Sequence, residues 1–251
     1  MKNVFFASGI FIAGLLVTPV EADVFMGNGG TSFGDVLGNS TLEVTASGSA
    51  VNSTLTTGLG DLNDFVVIYI DSIVGGATNT AAFVDTGASN LDLNRSAISG
   101  FGGGNRSIVN FAPGFEADFA ISFNPGSGGN SGFGGLWQLD NNSNFTFVDS
   151  INLSPTGTAT ATNYTFDFDF SEIGITSADP FDFVATYLNS SNAFRSNEAI
   201  GASDAPSGGT NIGNGALTFS SFETFNQAIP EPTSVALMFG ICLFGASRRR
   251  R

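Results

Sequence analysis

Few residues in this chain can do chemistry, and almost all of them are carboxylates. The 251 residues include no histidine and a single cysteine, Cys242, which lies in an apolar run near the end. Ser–His and Cys–His nucleophile pairs are therefore excluded, as are disulfides and Cys or His metal ligands in the body of the protein. Lysine Schiff-base chemistry is excluded as well, because the only lysine is Lys2. What remains is acid chemistry. The stretch FVDTGASNL, residues 83–91, has the shape of an aspartic-protease loop, in which Asp85 would be the acid. Such an enzyme needs two carboxylates sharing one proton. No second Asp-Thr-Gly or Asp-Ser-Gly occurs. The competing reading is an Asp-initiated turn at a strand end, which these residue types favour on their own.

Two other uses of the acids are open. A glycosidase needs two carboxyl groups roughly 5–10 Å apart across a cleft, a separation that no sequence displays. Acidic turns such as GDLND, with Asp61 and Asp64, and NLDLN, with Asp92 and Asn94, offer oxygen ligands for Ca²⁺. No twelve-residue Ca²⁺ loop is present, and solvated turn carboxylates are the plainer reading. Trp137, in GGLWQLD, is the lone tryptophan and the first candidate for stacking on a sugar ring; the alternative is ordinary packing. No organic cofactor is implied.

The elements that must position these groups read as strands. In YTFDFDF, Tyr164, Phe166, Phe168 and Phe170 fall on one face and Thr165, Asp167 and Asp169 on the other. FEADFAISF places Phe115, Ala117, Phe119, Ile121 and Phe123 together, and NFTFVDSINL does so for Phe145, Phe147, Ile151 and Leu153. This period of two is that of a half-buried strand. FVVIYID, residues 65–71, is apolar on both faces and predicts a central strand covered twice. Further strands are expected at 41–46, 81–85, 107–111, 135–139, 181–188 and 216–225, with helical turns at 96–99 and 171–174. Gly- and Asn-rich breaks separate them, the longest being 201–215. The fold expected is all-β: a single antiparallel β-sandwich, jelly-roll-like, between two terminal apolar helices.

Charge is distributed unevenly. The formal net charge is −14, but between Asp23 and Ile229 three arginines face twenty acidic residues, a net of −17. Such a body repels phosphate backbones, so nucleic acid is not its partner. Four of the eight basic residues are the terminal Arg248, Arg249, Arg250 and Arg251.

Both ends read as addresses. Lys2, an apolar stretch from Val4 to Val17, Pro19 and the small-residue site ending at Ala22 have the layout of a signal peptide for the Sec export machinery, cut after residue 22. A retained membrane anchor is the alternative, for which the run is short. At the other end, Val235 to Ala246 are all apolar or Gly, twelve residues where a span takes about 20. Counting from Ile229 and letting the arginines snorkel approaches that length. The arginines would stay on the cytoplasmic side of the inner membrane. The expected division is therefore a signal peptide at 1–22, an extracytoplasmic domain at 23–228 and a sorting or anchor segment at 229–251.

Pro230-Glu231-Pro232, followed by a short apolar helix with Gly240 and Gly245 and by the terminal arginine cluster, resembles the PEP-CTERM sorting signal. The resemblance covers about the last 22 residues. It implies a Gram-negative, exopolysaccharide-producing bacterium and an exosortase partner that cuts near the Pro-Glu-Pro step, after which the body is released or moved to the cell surface. The body itself resembles sugar-binding sandwich modules of secreted proteins in its order of segments: FVVIYID, then FEADFAIS, then YTFDFDFSEIGI. That implies extracellular polysaccharide as a ligand.

Overall fold

In the computed structural model of the protein, residues 22–85, 93–126, 132–140, 145–177 and 179–226 are described. Strands are numbered along the chain. One antiparallel sheet has the order β1 (Asp23–Met26), β2 (Thr41–Ser47), β3 (Ala50–Thr56), β11 (Asn163–Asp169). A larger antiparallel sheet runs β10 (Phe145–Ser150), β9 (Phe133–Leu139), β8 (Phe119–Asn124), β4 (Phe65–Asp71), β12 (Phe181–Asn189), β13 (Phe194–Ile200), with β15 (Glu223–Phe225) also pairing β12. Two small pairs complete the set. β5 (Phe101–Gly102) pairs β6 (Asn105–Arg106), and β7 (Ile108–Asn110) runs parallel to β14 (Ala216–Thr218). Among the described residues the helical elements are one short helix, α1 (Leu93–Ser99), and a 3-10 turn at Phe170–Ile173.

The two main sheets share one apolar cluster. Leu42, Val44, Val51, Phe166 and Phe168 from the smaller sheet meet Ile68, Ile70, Ile121, Phe123 and Phe183 from the larger. The Phe-x-Phe alternation of β11 turns every second side chain onto this core, as expected. The larger sheet is also covered on its outer face. There Val67, Tyr69, Ala120, Trp137, Val184 and Ala199 pack under α1, the Phe111–Phe115 turn and β14. β4 is thus buried on both faces, and its FVVIYID composition follows from that.

Several expectations need correction. Residues 81–85 form a turn closed by Phe83 N–H on Thr80 O, not a strand. The alternation in FEADFAISF breaks at Asp118: Phe115 and Ala117 belong to the outer layer, Phe119, Ile121 and Phe123 to the inner core. Only Phe119–Asn124 is strand, and Ser122 is fully buried against Asn94. A bulge between Phe147 and Asp149 likewise splits NFTFVDSINL, so Phe145 faces the outer layer, Ile151 the inner core, and Phe147 is half exposed. The segment 216–225 divides into β14 and β15. The expected terminal helices, signal and anchor, fall outside the described residues. Among the described residues no helix is long and apolar enough to cross a membrane.

Candidate functional sites: an acidic cleft, a buried polar strand and the sorting tail

The first site arises where β4 ends. Asp71 and Asp182 are directly opposed across the β4–β12 pair, which puts their β-carbons about 5 Å apart. The 112–118 turn brings two more acids. Asp71 Oδ2 accepts the Glu116 N–H at 2.7 Å, and Asp118 Oδ2 accepts the N–H groups of Ser72 and Ile73 at 3.1 and 3.0 Å. The clasp ties the turn after β4 to the turn before β8. A cleft of about 430 Å³ opens beside it, lined by Asp71, Glu116, Asp182, Ile73, Val74 and Phe181 among others. Val74 is fully exposed at its rim.

Like charges and partial burial act together here. Burial, chiefly, and the Asp118, Asp182 and Glu116 carboxylates push the Asp71 carboxyl up to about 6, against the pull of the Glu116 N–H. Burial also raises Asp118, against its two backbone donors. Among the described residues no arginine forms an ion pair with these acids, and the one ion pair is Arg95–Asp85. Sequence reasoning did not find this cluster. Its members lie at 71, 116, 118 and 182 and meet only through strand register, with no local motif.

The predicted site residues are placed as follows. Asp85 is buried, ion-paired to Arg95, and accepts the Phe145 N–H through Oδ2 at 2.8 Å. Both carboxylate oxygens are thus engaged in holding α1 and the start of β10 to the outer layer. Asp61 is exposed, and Asn63 folds back onto its carbonyl. Asp64 accepts the Asn189 amide at 2.9 Å, and burial raises its pKa. Asp92 lies outside the described residues. Among the described residues no group of three or more Asp, Glu, His or Cys side chains is arranged to hold a metal. Trp137 is 3% exposed. Its ring is flanked edge-on by Phe133 and Phe147, which are 45% and 50% exposed, so these phenyl rings, not the indole, meet solvent.

A second polar site is built into β13, whose sequence FRSNEAI has no apolar alternation yet is buried almost throughout. Between Thr186–Ala199 and Leu188–Arg195, two steps on β12 face four on β13. The extra length at Ser196, Asn197 and Glu198 forms a bulge that grips a loop. Glu198 is fully buried and accepts the backbone N–H groups of Phe33, Asp35, Val36, Leu37 and Gly38, the shortest at 2.7 Å. Successive N–H groups converging on one carboxylate form an anion nest filled from within the protein. Asn197 adds Ser32 N–H as a donor to its Oδ1 and donates to Pro206 and Gly208 carbonyls at 2.6 and 2.7 Å, which fastens the 201–215 segment. The same strand buries Arg195, whose Nη1 donates to Thr186 Oγ1 at 2.6 Å and Nε to Ser107 Oγ at 3.3 Å. Neither buried charge was legible beforehand, since a strand without alternation gives no signal.

The tail residues Pro230, Glu231, Pro232 and Arg248 to Arg251 lie outside the described residues, and here comparison with known families decides. The profile of the PEP-CTERM protein-sorting motif matches residues 228–251. This chain carries a PEP-CTERM sorting signal. The PEP-CTERM motif implies processing by an exosortase, and with it export to a surface or extracellular location. The match spans the tail alone. Comparison with curated proteins and with solved structures gives no match.

Proposed function

We propose that this is a non-enzymatic protein of the cell surface or extracellular matrix. Its acidic, jelly-roll-like body is exported behind the N-terminal signal peptide, held briefly in the inner membrane by the C-terminal apolar segment, and freed when exosortase cuts near Pro230–Pro232. The observation that carries this reading is the sorting motif at 228–251 joined to a β-rich body. In such a protein the body serves structurally or binds the cell's own exopolysaccharide. Replacing Pro230, Glu231 and Pro232 together by alanine is expected to leave the uncut protein in the inner-membrane fraction; unchanged processing and surface location would overturn the sorting role. A glycan array probed with residues 23–229, with and without Ca²⁺, tests the ligand. Binding that survives in Phe133→Ala and Phe147→Ala would remove the aromatic surface near Trp137 from consideration.

The acidic cleft favours a second reading, a carboxylate-dependent glycosidase. Asp71, kept protonated up to about pH 6, would act as general acid, with Asp182 opposite it as the second carboxylate. Release of reducing ends from exopolysaccharide by the purified body, lost in both Asp71→Asn and Asp182→Asn, would establish this reading. No release from any polysaccharide tried rejects it. An aspartic protease is the weaker variant of the enzyme reading, because Asp85 is locked to Arg95.

A further inference from the structure

The two ends of the body leave it side by side, next to the acidic cleft. β15 is the last described strand, and its register on β12 sets Phe225 against Phe181 and Thr224 against Asp182. Thr224 Oγ1 donates to Asp182 Oδ1 at 2.6 Å, and the Phe225 and Phe181 rings pack with centroids 5.3 Å apart. Phe181 and Asp182 are walls of the cleft, as is Pro180. The chain therefore passes out of the body one strand spacing, about 4.8 Å, from the cleft wall. The other end is held at the same place: the Asn226 N–H donates to Oδ2 of Asp23, where β1 begins, at 3.4 Å. Ile73 and the fully exposed Val74 stand here too, on the turn that follows β4. Leu59, equally open to solvent, precedes the start of β4 at Phe65 and lies toward the opposite pole, roughly 20 Å away along that strand.

The length of the tether fixes what this placement means. From Asn226 to Val235, the first residue of the unbroken apolar run, the chain reaches at most about 30 Å when fully extended, and to Ile229 only about 10 Å. A folded body of this length has a radius of gyration of about 17 Å and is roughly 40 Å across. Running round such a body to its far pole takes about 60 Å of chain, twice what the tether supplies. The end that carries both exits must then face the membrane that holds the tail. We propose that the acidic cleft looks onto the membrane surface for as long as the tail is uncut, and that cleavage of the tail opens it to polymeric partners outside. The inference rests on the membrane-held intermediate of the preceding reading. It applies equally whether the cleft acts as an acid catalyst or as a polar groove. Before the signal peptide is removed the same pole is tethered twice, because Asp23 and Asn226 leave together. Cutting the tail is thus an unmasking step as well as a release step: a polysaccharide or a protein surface meets Asp71, Glu116 and Asp182 only on the freed body.

The test is thiol labelling of the full chain in spheroplasts of the producing cell, in a Cys242→Ser background that leaves no other thiol. Val74→Cys reports the cleft rim and Leu59→Cys the far pole; both side chains are exposed, so neither change disturbs packing. Replacing Pro230, Glu231 and Pro232 by alanine holds the protein in its uncut form. A small maleimide should react with both cysteine variants, uncut or released. A maleimide carried on a polyethylene glycol of about the body's own mass should react with Leu59→Cys and lose its reaction with Val74→Cys in the uncut form. In the released body it should react with both. Equal reaction of the large reagent with the two variants in the uncut form overturns the proposal. An alanine variant found outside the membrane fraction overturns the sorting reading, and this inference with it.

Discussion

At the scale of single residues, the protein's acids do opposite work according to their neighbours. Glu198 is stabilised by a nest of backbone donors, and removing it leaves those N–H groups buried without partners. Glu198→Ala should cost about 3–5 kcal/mol in chemical denaturation, with Glu198→Gln costing less because one carbonyl acceptor survives. Asp71 is the reverse case. Its folded-state pKa, about 6, lies above the ordinary 3.8, so the folded form binds the proton more tightly than the unfolded chain. Its contribution is fully present below the ordinary value and is lost as pH rises to about 6. Asp64, Asp118 and Glu172 are shifted in the same direction. The body should therefore melt at a higher temperature near pH 4.5 than at pH 7.5. Asp71→Asn should raise Tm at pH 7.5 and leave it nearly unchanged near pH 4; an equal effect at both pH values would refute the assignment.

At the scale of elements, legibility tracked how simply a strand is buried. β11 shows one polar and one apolar face, and β4 is apolar on both; each was readable to within a residue. β3, with the sequence AVNSTLT, and β13 were missed, because their buried positions include Ser53, Ser196, Asn197 and Glu198, whose burial depends on partners far along the chain. Strand register was hidden for the same reason. The opposition of Asp71 and Asp182 and the splitting of FEADFAISF between two cores are products of pairing, not of local pattern. The tail motif, in contrast, is contiguous and was visible whole. One loop contact tests the element scale directly. A β-carbon on Gly38 would lie 1.7 Å from Gly30 O, in the loop that Glu198 grips. Gly38→Ala should force the 27–40 loop off β13 and lower Tm well beyond an exposed Gly→Ala change such as Gly209→Ala, where the added carbon meets open space.

At the scale of the whole molecule, delivery and body are separable, and so are their tests. Deleting Arg248 to Arg251 from the full chain should disturb retention of the tail at the membrane, which fractionation reports, while denaturation of residues 23–229, which lack the tail, reports the body alone. The three arginines of the body bear on what happens after delivery. Arg95 is paired with Asp85, Arg106 donates to the carbonyls of Thr80 and Phe83 and lies over the Phe101 ring, and Arg195 is sealed in the outer layer. Arg195 is buried and the other two are half-buried and engaged with groups of the fold, so neighbouring copies present one another with a mostly anionic surface. A crowded layer of such molecules behaves as a polyanion: it swells in dilute buffer and draws together only as counterions shorten the Debye length to about 8–10 Å or less. Light scattering of the free body should register this as repulsion between molecules that fades with added salt, and fades at far lower concentration with a divalent cation.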